Sequence, residues 1–189
     1  MKKGMMFALA ICLVLSNAAF AGDAIKIGLM APMTGSWASE GQEMKQVLDL
    51  LLEDVNKAGG LLGKQIELIS DDDGGDPKTA SLAAQRLTTK GIMAVIGTYG
   101  SSVTEATQNI YDEEDIIQVA NGSTAVRLSE KGLKFFFRTC PRDDEQGRVA
   151  ANTIKKAGYK KVAILHDNTT YAKGLADETK AILKKEGTE

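Results

Sequence analysis

The chain has 189 residues, 43% of them hydrophobic, with 23 basic residues against 25 acidic, one histidine and two cysteines. A near-neutral balance without a basic run excludes the electrostatic footprint of a nucleic-acid binder. Two cysteines exclude a small scaffold built on disulfides, so core packing must hold the fold.

The first segment, MKKGMMFALAICLVLSNAAFA, has the three parts of a secretory signal: Lys2 and Lys3, an apolar core over 5–15, and the small-x-small site Ala19-Phe20-Ala21. The apolar run is too short to anchor in a bilayer, which takes roughly 20 residues. Cleavage after Ala21 and export to the periplasm are expected. Without Lys2 and Lys3, 21 basic residues face 25 acidic ones, and Cys140 is the only thiol left.

Beyond the signal, short β-type runs alternate with longer helical patterns, which predicts an α/β fold on a parallel sheet. A strand over 25–30 is followed by an amphipathic helix carrying Met44, Val47, Leu48, Leu51, Val55 and Ala58, stopped at Gly59-Gly60. A strand over 65–70 leads to a helix capped by Asp76, with Pro77 in its first turn and Ala80, Ala83, Ala84 and Leu87 facing inward. A third strand over 93–97 precedes a helix over 102–114 with Val103, Ala106, Thr107 and Ile110 inward; strands over 116–120 and 135–137 follow. Past Pro141 the rhythm restarts with a helix to about Ala157, a strand over 161–165 and a helix over 171–186. The expected division is therefore a signal over 1–21, a first lobe over 22–141 and the start of a second over 142–189.

Ligands of such sheets bind beyond the carboxyl ends of the strands, where loops and helix N-termini gather. The stretch IGTYGSSVTEAT lies there, but it lacks the lysine and spacing of a P-loop and the G-x-S-x-G of a nucleophile elbow. The one histidine, His166, belongs to the other unit, so no Ser-His pair and no enzyme is expected. The acidic DDDGGD lacks the spacing of a calcium loop, so no metal or other cofactor is expected; Asp76 caps a helix and its neighbours sit in a solvated loop. Ser101 and Ser102 either cap the following helix or form a neutral seat for an anion such as a carboxylate at its positive end. A second polar loop, Asn121-Gly122-Ser123-Thr124, follows the next strand at the same edge, which favours the seat.

The blocks IKIGLMAPMTGSWASEGQE, DDDGGDPKTA, VIGTYGSSVTEA, NGSTAVRLSEKG, FFFRTCPRDDEQG and VAILHDNTTYAKGLA resemble, in order and spacing, the leucine/isoleucine/valine-binding proteins, receptors of branched-chain amino acid ABC importers. The resemblance implies a type I clamshell of two α/β lobes closing on an amino acid. It implies that Ser101, beside Ser102, takes the ligand carboxylate by hydroxyl and amide. Thr124 would reach carboxylate and ammonium, the Gly122 carbonyl would accept from the ammonium, Tyr171 would close over the ligand, and Tyr99 would line its apolar tail. The implied partners are an amino acid ligand and the permease subunits of an ABC transporter; a sensor of the same fold signalling to a membrane partner is the alternative. Glu40, with Trp37 nearby, stands where an aromatic residue often packs on the ligand. Gly75 and Gly100 stand where some relatives carry a disulfide. The family is longer, and its second lobe supplies a carboxylate for the ligand ammonium; this chain is accordingly expected to be an incomplete receptor that binds weakly or not at all and exposes bare apolar faces.

Overall fold

The computed structural model describes residues 23–187, so the signal reading lies outside the described residues. Five short strands, β1 (Ile25–Ala31), β2 (Ile66–Asp72), β3 (Ala94–Ile96), β4 (Ile117–Ala120) and β5 (Phe136–Arg138), form one parallel sheet in the order β2-β1-β3-β4-β5. Helices α1 (Ala38–Lys57), α2 (Pro77–Thr88) and α3 (Ser101–Glu113) connect the first four strands, and a 3-10 turn (Val126–Ser129) precedes β5. This is the fold of type I periplasmic binding proteins. Strand order reverses between β1 and β3; right-handed crossovers then put α1 on one face and α2 and α3 on the other.

The face under α2 and α3 is the dry one. Asp76 accepts the Thr79 amide at 2.8 Å and Pro77 opens α2, as the cap pattern predicts. The predicted stripe Ala80, Ala83, Ala84 and Leu87 is buried, and its last three members join Met30, Ile92, Val95, Tyr111 and Ile116 in one cluster. On α3, Val103 and Thr107 point inward as expected, whereas Ala106 and Ile110 are only partly buried. Thr104, Gln108 and Tyr111 are buried instead.

The other face is largely bare. Register places Leu29, Ile96, Val119 and Phe137 side by side across the sheet, and α1 covers only the end near β1. Phe137 is 53% exposed, and on α1 Val47, Leu51 and Val55 of the predicted apolar stripe stand in solvent; Gly41 is the one residue of α1 that is buried.

Helices α4 (Asp143–Lys156) and α5 (Thr170–Lys185) pack on one another, and the Arg127 guanidinium reaches the Thr170 hydroxyl at 3.4 Å. The strand expected over 161–165 does not form. A parallel strand needs a neighbour for its amides and carbonyls; all five described strands pair among themselves, and Leu165 is 95% exposed.

Candidate functional site

The carboxyl ends of β3 and β4 carry the two loops singled out by sequence, and α3 begins between them. Its N-cap is Gly100, without a side-chain cap, and Ser101 is the first helical residue, so neither serine caps the helix. The first helical bond joins the Thr104 amide to the Gly100 carbonyl at 3.0 Å. The amides of Ser101, Ser102 and Val103 therefore have no carbonyl one turn back, which leaves donors and the positive dipole end for an anion.

Ser101 is 2% exposed, and its hydroxyl oxygen accepts the amides of Thr124 at 3.1 Å and Ala125 at 3.2 Å. With both lone pairs engaged, its proton remains free to donate. Ser102 is half-buried, and its hydroxyl makes no hydrogen bond among the described residues. Beneath lies a chain of buried hydroxyls that sequence reasoning missed. Thr98 and Thr104 pair at 2.5 Å, Thr104 and Ser123 at 2.5 Å, and Ser123 also reaches the carbonyls of Thr98 and Tyr99 at 3.0 and 3.1 Å. Arg138 finishes the lacing by donating to the carbonyls of Ser123, Ala125 and Val126 at 3.0–3.3 Å. Polar residues at strand ends were the available signal, but their mutual pairing is non-local.

The aromatic residues gather on the other side of these loops. Trp37, just before α1, meets Tyr99 edge-on with ring centroids 5.7 Å apart, and Tyr99 lies against Gly122, where a Cβ would come within 2.7 Å of its ring. Only glycine lets the second loop approach Tyr99 so closely. A cavity of about 390 Å³ beside them is lined by Glu40, Met44, Ile96, Tyr99 and Asn121; Ser101 and Thr124 do not line it. The Ser39 hydroxyl, at 2.8 Å, holds the Glu40 carboxyl below its usual range. Tyr171, in the first turn of α5, is 43% exposed, and its side chain makes no hydrogen bond or ring contact among the described residues.

Trp37 also explains the paired glycines. A Cβ on Gly75 would lie 2.9 Å from its ring, and one on Gly100 2.7 Å from the same ring. The indole thus fills the gap between the two loops that the resemblance bridges with a disulfide. Replacing Trp37→Ala is expected to lower unfolding free energy by about 2 kcal/mol, less than for a fully buried aromatic because the ring is half-exposed. Gly75→Cys with Gly100→Cys is expected to form a bridge in the Trp37→Ala background and to stay reduced beside the native indole. Thiol titration distinguishes the two.

The acidic loop is not simply solvated. Asp72 accepts the amides of Met33 and Gly74 at 2.8 Å and the Thr34 hydroxyl at 2.6 Å, which fixes the β1–α1 loop. Burial pushes its pKa up, but these bonds outweigh that and hold it low. Asp71 makes a two-pronged pair with Arg86 at 3.0 and 2.7 Å. Asp73 is 1% exposed, accepts the Gly75 amide at 2.8 Å, and burial pushes its carboxyl up to about 6. No group of three or more His, Cys, Asp or Glu suited to a metal occurs among the described residues. Cys140 is half-buried, donates to the Ser123 carbonyl at 3.4 Å, and burial raises its thiol pKa.

A family model for periplasmic binding proteins matches residues 24–189. The chain belongs to this family. It is 38% identical over its whole length to the Leu/Ile/Val-binding protein homolog 2 of Brucella abortus, covering 51% of that protein. It is 41% identical over 98% of its length to an amino acid binding protein of Pseudomonas aeruginosa, covering 50% of that one. Among solved structures it resembles the branched-chain amino acid transporter substrate-binding protein LivJ of Streptococcus pneumoniae, in complex with isoleucine, with TM-score 0.79 and 29% identity over 84% of this chain and 46% of that one. The chain spans about half the length of the curated relatives it matches.

Proposed function

We propose that this family member is a solute-binding protein of an ABC importer that takes an amino acid by its carboxylate at the N-terminus of α3 and delivers it to a membrane permease. In this reading Ser101, beside Ser102, donates to the carboxylate. Thr124 and the Gly122 carbonyl receive the ammonium, Tyr99 and Trp37 flank the apolar tail with Glu40 at its far side, and Tyr171 closes from a second lobe that begins near residue 142. Export by the N-terminal signal, cleaved after Ala21, belongs to the same proposal, as does a non-catalytic role.

The observation that carries the reading is the lacing of two loops at the carboxyl edge of the sheet. The Ser101 oxygen binds two amides of the second loop, so its proton and the free amides of α3 are fixed around one point. Such a preorganised neutral donor set suits a carboxylate and carries no lysine for a phosphate. Calorimetry with L-leucine, L-isoleucine, D-leucine and 3-methylbutylamine tests it. Heat is expected only from the L-amino acids; equal response to the amine, which lacks a carboxylate, would contradict the seat. Weak affinity is part of the proposal, so titrations must reach millimolar ligand.

A further inference from the structure

Asp143, the first residue of α4, is a fully buried carboxyl that the lacing of the loops does not use. Its amide donates to the Thr124 carbonyl at 2.9 Å, which ties its backbone to that of Thr124. Its Oδ1 accepts from Gln146 at 3.4 Å, but Oδ2 has no hydrogen-bond partner, and neither does Thr124 Oγ1, on a residue only 8% exposed. The two groups stand beside one another without completing a hydrogen bond, and the Thr124 hydroxyl favours the ionised carboxyl while burial, the larger effect, opposes it. Helix α5 closes the other side: a Cβ on Gly174 would come within 2.8 Å of Oδ2.

The charges around this carboxyl come from every neighbouring element. Arg127 and Arg138 favour its ionised form and Asp144 disfavours it; Glu130, Asp177 and Glu178 share with it a cavity of about 250 Å³. A buried carboxylate with a vacant oxygen beside a hydroxyl with no partner gives the hydroxyl proton one strong acceptor, because buried polar groups are costly when unpaired.

We propose that Asp143 is a positioning residue of the ligand site: its vacant oxygen takes the Thr124 hydroxyl proton, leaving the Thr124 oxygen able only to accept. The seat then selects a ligand that carries an N–H donor beside its carboxylate, a primary ammonium, over the same acid without one. This rests on the amino-acid reading of Ser101 and Thr124. It also assigns a role to a residue that touches no ligand in that reading.

The test has a ligand-free arm and a ligand arm, both on the 189-residue chain. In the first, the Asp143 carboxyl is titrated by 13C NMR in the parent and in Thr124→Val; its pKa is expected to rise when the donor is lost, and an unchanged value would overturn the proposal. In the second, L-leucine and 4-methylpentanoate, the same skeleton without the amine, are titrated into the parent and Asp143→Asn. The Asn amide can donate to Thr124, reversing the bond. The preference for leucine is expected to fall about tenfold, the size of one charge-assisted hydrogen bond, with 4-methylpentanoate affinity unchanged. Equal weakening of both ligands would mark a merely structural role and contradict the proposal. If neither ligand binds the parent, the carboxyl titration alone decides whether Asp143 holds the Thr124 proton.

Discussion

Replacing Ser101→Ala is expected to weaken amino acid binding about 100-fold and to lower stability by about 2 kcal/mol. The change removes one hydroxyl that does two things. In the proposed function its proton is the donor to the ligand carboxylate, and a hydrogen bond to a charged group contributes about 1.5–3 kcal/mol. Its oxygen is also the acceptor for the Thr124 and Ala125 amides, in residues 8% and 1% exposed, and water cannot easily replace it there. Leaving a buried amide unpaired costs about 1–3 kcal/mol, part of which the loop recovers by shifting away from α3. The shift itself misplaces Thr124, so affinity falls further than the lost donor alone would cause. Ser102→Ala is the control: with no hydrogen bond in the unliganded protein, it is expected to change stability by less than about 0.5 kcal/mol. Denaturant melts and ligand titrations of both variants read the difference. An unchanged affinity in Ser101→Ala would remove the carboxylate seat from the account.

The second large effect concerns Asp73. Its carboxyl is pushed up to about 6 by burial, from an ordinary value of 3.8, despite the Gly75 amide that opposes the shift. The folded protein therefore holds this proton more tightly than the unfolded chain. Stability on account of Asp73 is greatest below pH 4 and declines as pH rises through 6, by about 3 kcal/mol at most. Replacing Asp73→Asn removes the charge while its carbonyl keeps the Gly75 bond. The buried Tyr111 hydroxyl, which has no hydrogen-bond partner among the described residues, is also relieved of one of the two negative charges, of Asp71 and Asp73, that act on it. The variant is expected to be about 2 kcal/mol more stable than the parent at pH 7.5 and about equal to it at pH 4. Denaturant unfolding of both proteins across that range isolates Asp73, because every other acid is common to the pair. A constant difference at both pH values would contradict the assignment.

Much of the fold was legible because its signals are local. The Asp76-Pro77 cap and the alanine stripe of α2 are read from neighbours within four residues, and the structure places each as expected. Residues 161–165 show the limit of such signals: a short apolar run states what a segment forms beside other strands, and none of the described strands pairs with it. The stripe on α1 is similar, since helical spacing of Val47, Leu51 and Val55 cannot say whether anything covers them. At the candidate site, hydroxyls and glycines at strand ends pointed to the two loops that the structure joins through Ser101. The lacing itself was not legible, because Thr98, Thr104 and Ser123 are buried only through one another across 25 positions of sequence. Trp37 gives the same lesson, for its space is set by two glycines distant in sequence from it and from each other.

The central claim is that a ligand carboxylate sits at the N-terminus of α3 between two laced loops. Amide 15N–1H spectra of the parent chain, titrated to millimolar L-leucine and separately with 3-methylbutylamine, test it most directly. The account predicts that leucine shifts the amides of Ser101, Ser102 and Thr124 and that the amine leaves them in place. Leucine shifts confined to other surfaces, with these three amides unmoved, would contradict it.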